Sequence, residues 1–205
     1  VPTILEGLGT EEVLDEVFNV MYLHFNDELA VQQDVGNQLD ADRATLLGVG
    51  VPTVELEPVD STPKDGFPYG NFHIGSIPSF VQTEDRVANY PMLVVAPGRT
   101  IPDPENVMTD QYDVFQNGVS IHCFARASLE QGVEMVYRRV MRMAEAVHNV
   151  VNSTSLRRIV AGTSGPILVD RSEPWRFPHE DGHGDDWYWM AVMHQYQVKN
   201  YSHMP

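Results

Sequence analysis

The sequence predicts an α+β fold: a mostly antiparallel sheet with two amphipathic helices packed on one face, in a single domain over residues 1–205 that carries one long loop insertion. Three observations predict it. Apolar residues recur at three- and four-residue steps in two well-separated stretches, the periodicity of half-buried helices. Short apolar runs bounded by turn residues are grouped between and after those stretches, with hairpin-like connections, rather than alternating strand by helix. The chain has 205 residues, 42% of them hydrophobic and 20% charged, enough for one core without disulfide or metal support.

The first helix begins at Thr10, which fits an N-cap, with Glu11 and Glu12 against the positive end of the helix dipole. Val13, Leu14, Val17, Phe18, Met21, Phe25 and Leu29 then mark one buried face, running to about Gln33. His24 lies beside that face and reads as a packed residue at the core edge. From Gly36 to Asn89 the signals are short and broken. Residues 53–56 suit a brief strand, and the rest is punctuated by Pro58, Pro63, Pro68 and Pro78 with Gly66, Gly70 and Gly75. This excursion, at about 58–89, also holds Phe67, Tyr69, Phe72, Ile74, Ile77 and Phe80. It is too apolar for a free linker and must pack on its own domain or on another subunit.

Residues 90–96 form a short buried strand closed by Pro97. Residues 112–116 and 119–124 read as strand, with Asn117 and Gly118 between them as either a tight hairpin turn or a bulge in one long strand. Ser128 followed by Gln131 resembles a capping box. Leu129, Val133, Val136, Val140, Met143, Val147 and Val150 then define the strongest helix, ending near Asn152. Residues 167–170 make a brief strand and 187–199 a long one.

Charge excludes some functions. Thirteen Lys plus Arg against 29 Asp plus Glu give −16, and such a surface repels phosphate backbones, which argues against a dedicated DNA binder. Ten acids and no base precede Arg43, whereas Arg138, Arg139, Arg142, Arg157 and Arg158 gather five of the 13 bases. Cys123 is the single cysteine, so no intrachain disulfide forms; it reads as a small buried hydrophobe in a strand, in a protein folded in a reducing cytosol. Residues 1–42 lack the basic segment of a secretory leader, and no apolar run reaches the length of a membrane span. A soluble protein with no membrane partner is expected.

Catalytic chemistry finds no convincing residue set. His179, Glu180, Asp181, His183, Asp185 and Asp186 crowd one turn, but Gly182 and Gly184 break both the helical zinc pattern and the calcium-loop pattern. A solvated acidic turn is the stronger reading. Gly162, Thr163, Ser164 and Gly165 precede a strand rather than a helix, so they form a turn and not a nucleophile elbow. No phosphate-cradling glycine loop occurs, and no cofactor is implied. Trp175, Trp187 and Trp189 flank the acidic turn as core or interface aromatics.

The order of elements resembles the tail-terminator or tail-completion proteins of long-tailed bacteriophages. An N-terminal helix (10–33) precedes an extended segment and a Tyr-Pro-led strand (90–96). A further strand then leads into a long helix carrying Tyr137, Arg138, Arg139, Ala144 and Ala146, and a last strand ends Gln195, Tyr196, Gln197, Val198. The resemblance covers most of the chain except 58–89. It implies a structural virion protein of the tail or neck, assembled in the host cytoplasm, forming a homohexameric ring. Its partners would be itself, the tail tube protein, the head-side connector or stopper, and a sheath protein where the tail contracts; genomic DNA would only pass through the bore. An acidic bore wall would let that DNA slide. Two rivals stand beside it: another neck subunit such as a head–tail stopper, and a metal-dependent hydrolase using the 179–186 turn. The ring contact expected from the sequence pairs Arg138, Arg139 and Arg142 with Glu11, Glu12, Asp15 and Glu16 of a neighbour. Phe67, Tyr69, Phe72 and Phe80 are the expected anchors of a docking arm.

Overall fold

A computed structural model of the chain describes residues 10–64, 66–75, 90–102, 113–126, 133–152, 167–171, 175–177 and 187–200. Its first element is one long helix, α1 (Thr10–Leu47), which buries Val13, Val17, Phe18, Val20, Met21, Phe25 and Leu29 as the periodicity requires. The helix does not stop near Gln33 but continues for about four more turns. Side-chain amides brace the added turns, with Gln33 Nε2 donating to Asn37 Oδ1 at 2.7 Å and Gln38 Nε2 to Asp42 Oδ1 at 2.9 Å. Asp40 in this stretch is buried against the second helix. Gly48 ends α1 in the left-handed region, at φ 65°, its N–H reaching Ala44 O at 3.0 Å.

Residues 53–56 are extended but pair with no described strand. Two amides of α1 take the place of a neighbouring strand. Gln33 Nε2 donates to Val54 O at 2.9 Å while its Oε1 accepts from Leu56 N–H at 2.6 Å. Asn26 does the same for Val59, donating to its carbonyl and accepting from its N–H, both at 2.9 Å. Asn26 and Gln33 are seven residues apart on one helix face, a rise of about 10 Å, which matches the three extended residues from 56 to 59. Val54 and Val59 are thereby buried.

The excursion then folds back on its own chain. Asp60 Oδ1 accepts from Thr62 N–H at 2.9 Å while its Oδ2 pairs with Lys64 Nζ at 3.0 Å, and these bonds lower the carboxyl pKa to about 2. Gly70, at φ 64°, packs so tightly on the Asp60 carbonyl that no Cβ fits there. Asn71 N–H reaches Asp60 O at 2.7 Å, and Asn71 O accepts from Leu93 N–H at 3.1 Å. The segment ends in a strand, β1 (Phe72–Ile74). Residues 76–89 lie outside the described residues.

The remaining strands are β2 (Met92–Pro102), β3 (Asp113–Arg126), β4 (Ile167–Arg171), β5 (Trp175–Phe177) and β6 (Trp187–Asn200). A second helix, α2 (Val133–Asn152), follows β3. The strand order is β1-β2-β3-β6-β4, with β5 also on β6. The fold is α+β, with two helices among the described residues and a mixed sheet in which β2, β3, β6, β4 and β5 are joined by antiparallel pairings and β1 alone is parallel. β1 runs parallel to β2, Phe72 beside Leu93 and Ile74 beside Val95. The physical reason is the excursion: the chain returns along α1 before entering the sheet, so β1 joins the edge without a hairpin.

β3 passes straight through Asn117 and Gly118, which pair with Tyr196 and Gln195, so there is no hairpin turn there. The irregularity sits opposite, in β2 between Pro97 and Thr100. A Cβ on Gly98 would lie 2.8 Å from the Gly118 backbone, a close approach that needs glycine.

Alternate strand residues divide the burial. Leu93, Val95, Val119, Ile121, Cys123, Ala125 and Met190 share one core with α1 and with Val136, Val140, Met143, Val147 and Val150 of α2. Met92, Val94, Ser120, His122 and Phe124, on the opposite face, are buried as well. Cys123 is the buried hydrophobe expected, and burial pushes its thiol pKa up.

Candidate assembly surface

The arginines of α2 form the largest charged cluster among the described residues, and they face inward. Arg138 Nη1 donates to Asp40 Oδ1 at 3.2 Å and Arg142 Nη2 to Asp40 Oδ2 at 2.8 Å, so one buried carboxylate holds two guanidiniums. Arg138 also pairs with Glu134, one turn before it. Arg142 reaches Gly36 O at 3.3 Å and Val54 O at 3.4 Å. A side chain on Gly36 would collide with that guanidinium, so the glycine is the gap through which Arg142 crosses α1. Arg139 is buried, donating through Nε to Glu55 O at 2.9 Å and pairing with Glu57 at 3.6 Å. The three arginines therefore tie α2 to α1 and to the 54–57 segment within one chain.

The sequence pairs Arg138, Arg139 and Arg142 with a neighbour's Glu11, Glu12, Asp15 and Glu16; within the subunit all three already have partners of their own. Of those acids, Glu11 and Asp15 are exposed and Glu16 is half-buried, with no ion pair to a described residue; the Glu12 side chain lies outside the description. Helical periodicity requires some of the arginines to lie off the Val136–Val140 stripe. It could not show that Asp40, 98 positions earlier, lies beneath Arg138.

The docking-arm residues are divided. Phe72 is fully buried, with Tyr22 and Phe25 edge-on to its ring at 5.4 and 6.2 Å. Tyr69 lies edge-on to Phe18 at 4.9 Å and to Tyr22 at 5.7 Å while keeping one side exposed. Phe67 is half-buried against His73 at 5.3 Å. These three anchor the segment to its own core, so the arm reading is corrected for residues 58–75. Phe80 lies outside the described residues, as do Arg157, Arg158 and the 179–186 turn.

Among the described residues no group of three or more His, Cys, Asp or Glu side chains is placed to hold a metal ion. His122 Nε2 lies 2.9 Å from Ser120 Oγ on the buried sheet face, and burial lowers the imidazole pKa to about 4. The imidazole is thus enclosed within hydrogen-bond distance of a buried hydroxyl. No helix among the described residues is long and apolar enough to cross a membrane.

Exposed apolar side chains are where sequence reasoning missed most. Leu23, Val31, Val35, Leu39, Leu46 and Leu47 of α1 are exposed, as are Tyr137 and Met141 of α2. The signal was the four-residue step from Val31 to Leu39, hidden once the helix was taken to end at Gln33. Comparison with protein-family models and with curated proteins finds no match to this chain.

Proposed function

We propose that the chain is a ring-forming structural subunit of a phage virion, a tail terminator that caps the tail tube and joins it to the head-side connector. The observation that carries this reading is the passage from β3 into α2, with β6, after the short β4 and β5, closing the sheet beside β3. A long strand feeds the longest apolar-striped helix after the first, and the closing strand returns antiparallel to β3 along its whole 14-residue length. That is the element pattern on which the resemblance rests.

The remaining features agree with it. The net charge of −16 suits a bore through which DNA passes without adhering. Exposed apolar side chains on two helices suit a protein that ends up covered by others. The tube protein, the connector or stopper, and a sheath protein in a contractile tail are the partners this reading assigns, at a tail or neck location reached by assembly in the host cytoplasm. Arg138, Arg139 and Arg142 are spent within the subunit, so ring contacts fall to other surfaces. Particles assembled without the chain should show tails of uncontrolled length or tails detached from heads under the electron microscope. Head-joined tails of normal length would contradict the reading.

A further inference from the structure

The apolar face of α1 runs on past the sheet that covers it. Val13, Val17 and Met21 are fully buried in the core. Val31, Val35 and Leu39 repeat them 18 residues later, which is five helical turns, so each lies directly in line with its buried counterpart. Leu46 falls within the same arc of about 80°. Yet these four are 52%, 47%, 60% and 86% exposed. The second half of α1 keeps contact with the rest of the fold through its other side, where Gln33, Gly36 and Asp40 meet residues 54–56 and α2. The stripe from Val31 to Leu46 is about 22 Å long, enough to seat roughly four turns of a partner helix.

Its charge says what kind of partner fits. Asp27, Asp34 and Asp42 are exposed in or beside the stripe, with no ion pair to a described residue. The single base of α1, Arg43, leans toward Glu134 at 3.7 Å. The exposed apolar pair on α2, Tyr137 and Met141, is likewise bordered by exposed Glu134 and Glu145. A second copy offering the same α1 face would set Asp27, Asp34 and Asp42 near their own equivalents. We propose that the α1 stripe is a docking face for a different protein, which covers it with an amphipathic helix whose apolar side is bordered by Lys or Arg. This goes beyond the ring reading, and it holds whether or not a ring forms.

The test uses the full chain and a fluorescein-labelled synthetic peptide of about 18 residues, with Leu at three- and four-residue steps and Lys on both borders. A peptide of the same composition, scrambled to remove the apolar face, is the control. Fluorescence anisotropy should show saturable binding of the amphipathic peptide, at least tenfold tighter than the scrambled one. Binding should weaken at least tenfold in the V35Q/L39Q double variant, and severalfold in D34K/D42K at low salt. Both variants change exposed positions, and equal circular dichroism and Tm would show that the fold is kept; should one variant fail that check, the other decides. Equal binding of the two peptides, or unchanged binding by the folded variants, would overturn the proposal. So would self-association of the wild-type chain that V35Q/L39Q abolishes, since a second copy would then be the occupant.

Discussion

Asp40 divides its two carboxylate oxygens between Arg138 and Arg142, and all three side chains are at least five-sixths buried. Charges so placed have lost most of their hydration, and only the pairing offsets that loss. Removing the shared acid leaves Arg142 without a counter-charge among the described residues and Arg138 with only the exposed Glu134. Asp40→Ala should therefore lower stability by about 2–4 kcal/mol, the lower part of the range allowing for residual solvent screening. Urea unfolding should show a lower midpoint with an unchanged m value. A shift under about 0.5 kcal/mol would mean that the clamp contributes little. None of this is visible from a single residue's neighbours in sequence, whereas Cys123 was legible because an apolar strand surrounds it. A buried hydrophobe announces itself locally; an ion pair needs both ends of the chain.

Elements were legible where one apolar face meets one core. The first half of α1, the stripe of α2 and the strand beginning at Met92 all lie where periodicity put them. The second half of α1 was not legible, because its buried side is polar: Gln33, Gly36 and Asp40 hold it by hydrogen bonds and charge. The 54–59 segment misled for the same reason. It is extended and apolar like a strand, but its backbone partners are the amides of Asn26 and Gln33. Asn26→Ala would strand both the N–H and the carbonyl of Val59 beside a buried valine, a cost of about 1–3 kcal/mol. Deleting residues 62–75 should be far more damaging, since it uncovers Phe18, Tyr22 and Phe25. Aggregation or loss of cooperative melting is expected of the deletion; a stable, soluble product would show that the segment is a detachable arm after all.

At the scale of the whole molecule, acidic charge and uncovered apolar surface occur together. Six large aliphatic side chains of α1 stand in water, surface that a subunit would gain by covering. Heterologous contacts between copies close into rings when the rotation permits, and on the proposed reading the −16 charge would hold separate copies apart until they meet. The candidate site was only half legible at this scale: the sequence supplied the charge and the order of elements, but it assigned the contacts to arginines that the fold uses internally. The most direct test of a ring-forming subunit is single-particle electron microscopy of the purified full chain, alone and with isolated tail tubes, near physiological salt. Closed rings of one fixed copy number, seated on the ends of the tubes, are the expected result. A chain that stays monomeric at all concentrations and leaves the tube ends bare would contradict it.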